Sequence, residues 1–296
     1  ALPHIIKKGY LPMETNKNVG NMVMRVTIPA MLITTIAGIE ITDRVLKAFL
    51  FSAAGQAAMM VVFGFLMRQY GRKRGLDSRL LPMLDLTAGS LNTGFIGLPV
   101  TMIFFGQAGI IYMSAGVLAL NLYLWSYGVY LISDKKVTGA AAIGKSFLQG
   151  AINPNCISIL LGLLLAVTHT ARFVPTVVLG FPTKVGDLST PLSLIYIGAL
   201  AGGSGIVQLF KEKMALEISV VKMIGMPALA ILAMLFIPAD GLAKSVFLLS
   251  VCMPSAAVVA NVKRSYFAFQ LFIFQFSDDI HCISSLCTLD VLTPSL

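Results

Sequence analysis

The chain has 296 residues, 57% of them hydrophobic and only 12% charged, with a mean hydropathy of +0.85. Soluble domains are about 45–50% apolar and about 25% charged, so an ordinary soluble enzyme or binding module is excluded and a polytopic membrane protein is indicated. The net charge of +9 implies no nucleic-acid partner, because the lysines and arginines lie in short loops between apolar runs, where membrane orientation accounts for them.

Taking about 20 apolar residues as one crossing, spans are expected at roughly 19–39, 46–67, 80–105, 108–132, 147–168, 185–206, 215–237, 242–262 and 266–292. The third is interrupted by Asn92-Thr-Gly-Phe-Ile-Gly-Leu-Pro99. Proline removes a donor and clashes with the preceding turn, and glycine weakens a helix, so backbone groups are freed at membrane depth. Lipid cannot satisfy such groups, so they must face protein or a watery cavity. A broken span of this kind is a pointer to a transporter's binding site. Between Arg172 and Lys184 the segment 173–182 is apolar, short and broken by prolines, and is expected to be interfacial or re-entrant.

One set of loops carries Lys7, Lys8 and Lys17; Arg68, Arg72, Lys73, Arg74 and Arg79; Lys135, Lys136 and Lys145; Lys211 and Lys213; and Lys263 and Arg264. The opposite set holds only Arg44, Lys47, Arg172 and Lys244. This bias makes the first set cytoplasmic, in a multi-pass protein of the cell membrane. Arg25, Lys184 and Lys222 lie within or at the edges of spans, as do Asp85 and Asp187. Such charges are functional candidates by default, but Arg25, Lys184, Lys222 and Asp187 are placed to snorkel to an interface. Asp85 is deeper, seven residues before Asn92, and is either half of a structural ion pair or a titrating group.

Cys156, Cys252, Cys282 and Cys287 show no metal-ligand spacing, and with only three histidines neither a metal site nor a disulfide framework is indicated. No cofactor is expected. Thr27-Ile-Pro-Ala-Met-Leu-Ile-Thr-Thr-Ile-Ala-Gly38 is similar to Ser189-Thr-Pro-Leu-Ser-Leu-Ile-Tyr-Ile-Gly198, and the two run in opposite directions across the membrane. Inverted-topology halves are therefore expected: an N-terminal repeat over 1–132, a cytoplasmic linker over 133–146 and a C-terminal repeat over 147–296. The counterpart of the break at Asn92 is then the run around Pro254.

Thr27-Ile-Pro-Ala-Met, Asn92-Thr-Gly-Phe-Ile-Gly-Leu-Pro, Asn153-Pro-Asn followed by Gly162, Ser189-Thr-Pro-Leu with Gly198, Lys222 with Pro227, and Met253-Pro-Ser-Ala-Ala, taken together, resemble the auxin efflux carrier family, within the superfamily that includes bile acid symporters. The resemblance covers about residues 7 to 262. It implies an all-α bundle of ten spans in two inverted repeats of five, with the fourth and ninth crossing as broken helices. On that plan this chain is expected to lack the first span, and Ser277-Asp-Asp-Ile-His281 makes its last span atypical.

At a crossing of broken helices, half-helix N-termini favour an anion, and the commonest organic one is a carboxylate. Asn92, Asn153, Asn155 and Ser255 are the expected substrate-binding residues, offering neutral donors without a buried cation. Gly94, Gly97, Pro99 and Pro254 shape the broken backbone, and Asp85 is the candidate proton-coupling group. Asn121 and Asn261 are expected to be structural, while Tyr123, Trp125 and Tyr127 are assigned to packing or an interfacial belt. Bacterial members of the family are associated with malate or malonate, so the resemblance implies a dicarboxylate carrier working by alternating access. A carrier of an auxin-like or other monocarboxylate, and a non-transporting sensor or scaffold of the same fold, are the alternatives. No protease or Walker signature is present, so neither catalysis nor direct ATP use is expected. The expected partners are the small organic anion and the lipid bilayer, with a homodimer as the candidate assembly.

Overall fold

A computed structural model describes residues 13–132, 148, 152–203, 213–234 and 241–256, and among the described residues there are helices and connecting turns but no strand. The first crossing is built from α1 (Met13–Met22), a π turn at Val23–Thr27 and α2 (Ile28–Ala37). Pro29 has no N–H to donate and its ring crowds the turn before it. The wider π turn just ahead of it absorbs that mismatch, with Ile28 N–H donating to Val23 O, five residues back. The same device recurs before Pro99, where Leu98 N–H donates to Thr93 O across the π turn Thr93–Gly97.

Helix α3 (Asp43–Lys73) starts where Thr42 Oγ1 accepts from Val45 N–H at 3.3 Å, with Asp43 in its first turn and Arg72 and Lys73 in its last. Charges so placed complement the helix dipole. At 31 residues it is roughly 46 Å long, more than a hydrocarbon core of ~30 Å requires. A turn through Gly75, at φ +76°, returns the chain as α4 (Leu81–Gly89), which packs along α3. Residues 90–92 are non-helical, and after the second π turn comes α5 (Leu98–Tyr123), continued by Leu124–Gly128 and Val129–Ile132. Gly106, at φ 59° and ψ −155°, breaks the helical path of α5 at the boundary expected between the third and fourth spans.

The second half contains α6 (Pro154–Val167), α7 (Thr176–Asp187), α8 (Ser189–Gly203), α9 (Lys213–Met234) and α10 (Gly241–Val251). The segment 173–182, expected to be short and interfacial or re-entrant, is helical from Thr176, the start of α7, which runs through Leu188 into α8 and packs on α2. Pro175 precedes the first turn, where no donor is needed, and Pro182 is accommodated inside the helix.

Thr15–Ala37, Asp43–Lys73, Leu81–Gly128 and Leu216–Met234 are long and apolar enough to cross a membrane, while α6 and α10 are shorter apolar helices. The linker 133–146, the span at 266–292 and Asn261 lie outside the described residues. Two apolar clusters fill the interior. Ile28, Leu32 and Ile36 of α2 pack with Phe49, Leu98, Ile110, Ile159 and Ile197. Met60 and Phe63 of α3 pack with Leu84, Leu91, Tyr123, Met226 and Leu248. Leu50, Phe65, Ile103, Leu160 and Ile224 point outward, the pattern of helices whose outer faces meet lipid and whose association depends on close packing.

Candidate functional site

Helix α4 ends at Gly89, and Ser90 turns extended with ψ 145°. Asn92 then adopts φ −83° and ψ 60° and caps the next segment, its Oδ1 accepting from Phe95 N–H at 3.2 Å. Its own N–H donates to Pro254 O at 2.8 Å. The two interrupted stretches singled out in the sequence therefore touch through their backbones. Beside that bond, Ser255 Oγ donates to Thr87 O at 2.6 Å, and Ala256 N–H donates to Ser90 Oγ at 3.2 Å, which in turn donates to Thr87 O. Breaking a helix inside a membrane frees carbonyls that must be satisfied by protein, and Thr87, Ser90 and Pro254 each find a donor here.

The donor for Ser90 corrects one sequence expectation. Lys222 of α9 does not snorkel to an interface; it is 2% exposed, and its Nζ donates to Ser90 O at 2.8 Å and to Ser255 Oγ at 3.0 Å. A membrane-edge position in the sequence says nothing about which neighbours a helix faces, and this face of α9 is turned toward α4 and α10. A second expectation is corrected with it. In the described part of the crossing, α4 and α10 arrive with their C-terminal ends and only the segment beginning at Thr93 presents an N-terminus. Two negative helix ends call for positive charge, and Lys222 supplies it. The site accordingly includes a buried basic group, contrary to the expectation of neutral donors alone.

The other predicted residues divide into groups. Gly97 is closely packed, with space for a Cβ blocked by Met113 Sδ at 2.8 Å. Gly94 is buried, yet a Cβ there would meet nothing within 4 Å among the described residues. The Asn92 Nδ2 is buried without a partner. Asn153 and Asn155 sit on another element, at the start of α6. Asn153 Oδ1 caps that helix by accepting from Asn155 N–H at 2.9 Å, while Asn155 is 1% exposed with its Oδ1 unbonded. Of the two, Asn155 has the spare polar capacity. Asn121 donates to Val117 O within its own helix, the structural use expected of it.

Asp85 lies 0% exposed on α4, away from the Lys222 bonds. Its Oδ2 accepts from Tyr127 OH at 2.9 Å and lies 3.8 Å from Arg68 Nη1, while Tyr123 OH donates to its main-chain oxygen at 3.3 Å. Oδ1 is buried without a partner. Tyr123 and Tyr127, one turn apart, thus both pack inside the bundle, as one of the two expectations had it, and bond Asp85, Tyr123 at its main-chain oxygen and Tyr127 at its carboxylate; their i, i+4 spacing was the available signal. Glu217 accepts from Tyr70 and Arg74, tying α9 to α3 near one end of both. Arg25, Lys184 and Asp187 are exposed. Among the described residues no group of three or more His, Cys, Asp or Glu side chains comes together as a metal site would need.

The family model described as "Membrane transport protein" matches residues 5–270. An "Uncharacterized transporter" of Methanothermobacter thermautotrophicus is 25% identical over 264 residues, covering 88% of this chain and 82% of that protein. The agreement extends through both interrupted stretches and the helix that carries Lys222, and the chain belongs to this membrane transport family.

Proposed function

We propose that the protein is a secondary carrier of small organic anions, with a dicarboxylate such as malate or malonate as substrate. It works by alternating access across the cell membrane, with its basic loops cytoplasmic. Its plan is the ten-span inverted repeat with halves at 1–132 and 147–296. The observation that carries this reading is the contact between Asn92 and Pro254, with Lys222 bonded to Ser90 beside it and the Asn92 carboxamide nitrogen buried without a partner. A basic group and an unbonded carboxamide nitrogen at one interrupted crossing favour a carboxylate, which accepts hydrogen bonds and carries negative charge. Asn92, Asn155 and Ser255 are the proposed substrate contacts, with Asn153 setting the start of α6. Family membership points to transport rather than catalysis.

The test is uptake of labelled malate, malonate and a monocarboxylate into proteoliposomes under imposed proton, sodium and potential gradients. Accumulation of a dicarboxylate is expected, and no flux with any of a broad organic-anion panel overturns the carrier reading; binding without flux marks a sensor. Asp85→Asn is expected to remove the response of uptake to a proton gradient while the protein stays folded. Retention of that response would restrict Asp85 to its ion pair with Arg68. Gly94→Ala separates site from scaffold. A methyl group there meets no neighbour among the described residues, so thermal stability should change by less than ~1 kcal/mol, while uptake falls at least about tenfold as the methyl alters the broken backbone that the substrate meets. Unchanged uptake would show that the substrate does not meet the backbone there.

A further inference from the structure

A pocket open to the surface lies along the seam between α2, α5 and the α7–α8 junction. It is a cavity of about 170 Å³ whose lining includes Met31, Thr34, Met102, Gln107, Asp187 and Thr190. That is room for about five waters, and the hydroxyls, amide and carboxylate make it suited to hold them. Farther along, the π turn that leads into α5 and helix α8 close on one another. Seven residues back from Met102, and six on from Thr190, the rings of Phe95 and Tyr196 stack with centroids 4.9 Å apart and planes 25° from parallel. Six or seven helical residues are about 10 Å, so the stack lies about two turns from the cavity on both elements.

The closure is braced by α1. A Cβ at Gly20 would fall 2.5 Å from Tyr196 Cε2, so only glycine lets the helix press on that ring, and Asn16 Nδ2 donates to Tyr196 O at 3.3 Å. Between cavity and stack, one turn from Thr190 and one from Tyr196, Ser193 is 0% exposed and its hydroxyl is unbonded. The stack also bears on the crossing itself, since Phe95 is the residue whose N–H Asn92 caps. One seam is therefore open and polar at one end and sealed by aromatic rings at the depth of the broken helix.

We propose that the cavity is the mouth of the substrate path on the face opposite the basic loops, and that the Phe95–Tyr196 stack, pressed by Gly20, is the barrier that shuts the path toward the other face. The proposal rests on the carrier reading for its purpose but is tested without substrate. In the full chain with its four cysteines replaced by serine, single cysteines are introduced and labelled in proteoliposomes with a membrane-impermeant thiol reagent applied to each face in turn. Thr190→Cys should label from the face opposite the basic loops, and Thr34→Cys serves as the second reporter if that variant is not monodisperse. Ser193→Cys should resist labelling from the basic-loop face. Adding Tyr196→Ala should raise that labelling at least tenfold, whereas Tyr196→Phe, which keeps the ring, should not. Protection of both Thr190→Cys and Thr34→Cys from both faces, or indifference of Ser193→Cys to Tyr196→Ala, overturns the proposal. A chain that labels as stated but moves no anion overturns the carrier reading alone; one that transports but labels otherwise overturns the barrier alone.

Discussion

Lys222→Met should lower anion uptake at least about 100-fold and destabilise the protein by about 3–5 kcal/mol. The Lys222 Nζ bonds Ser90 O and Ser255 Oγ at once, and hydrogen bonds from a charged donor contribute about 1.5–3 kcal/mol each. Methionine fills similar volume but leaves the Ser90 carbonyl without this donor where no lipid group can replace it. It also leaves the C-terminal ends of α4 and α10 facing each other without the positive charge that now sits between them. Thermal denaturation in detergent measures the first effect and proteoliposome uptake the second. Lys222→Gln separates them, because a carboxamide restores a neutral donor but no charge. Recovery of stability without recovery of uptake assigns the charge to substrate handling. Recovery of both reduces Lys222 to a structural tie, and a methionine variant with wild-type uptake removes it from the site.

Gly89→Val should lower the melting temperature by roughly 6 °C or more, the shift that about 3 kcal/mol produces in a chain of this size. Gly89 and Gly64 let α3 and α4 approach to backbone contact. A Cβ on Gly89 would overlap the Met60 carbonyl oxygen and the Tyr123 hydroxyl, with Gly64 Cα at 3.2 Å. A Cβ on Gly64 would fall 2.7 Å from the Asp85 carbonyl oxygen. None of these neighbours is the loose end of a flexible side chain, so the helices must separate, and close approach is what holds helices together where lipid is as apolar as their side chains. Because separation also pulls Asp85 from Arg68 of α3, uptake should fall in the same variant. A melting temperature within about 2 °C of the wild type would show that the two helices tolerate the added spacing.

The parts of this molecule that follow from local chain chemistry were legible in its sequence. The break at 90–92 follows from Gly89, Gly94, Gly97 and Pro99, whose effects act within a turn or two, and Pro254 marks its counterpart for the same reason. That the two breaks meet was suggested by symmetry, and the Asn92–Pro254 bond was not readable from either segment alone. The fate of Lys222 was misread because depth along a helix can be counted from the sequence while the face it presents cannot. Tyr127 was left between packing and an interfacial belt for the same reason: it packs against the interior, and its bond to Asp85 needed the position of a carboxylate on another helix. The helix that begins at Thr176 was not legible in 173–182 because its prolines read as breakers, although Pro175 stands before the first turn of α7 and Pro182 is carried within it.

The bonds from Lys222 to Ser90 and from Asn92 to Pro254 join residues 132 and more positions apart in the chain, and this has a consequence for biogenesis. While the first 132 residues are threaded into the bilayer, the stretch at 90–92 must wait with open carbonyls until α9 and α10 emerge from the ribosome and insert. Its interim partners are water, lipid headgroups or an insertion chaperone. The first half is thus committed to the membrane before it can be completed there, and α9 and α10, made later, act as the clasp that ends this exposure.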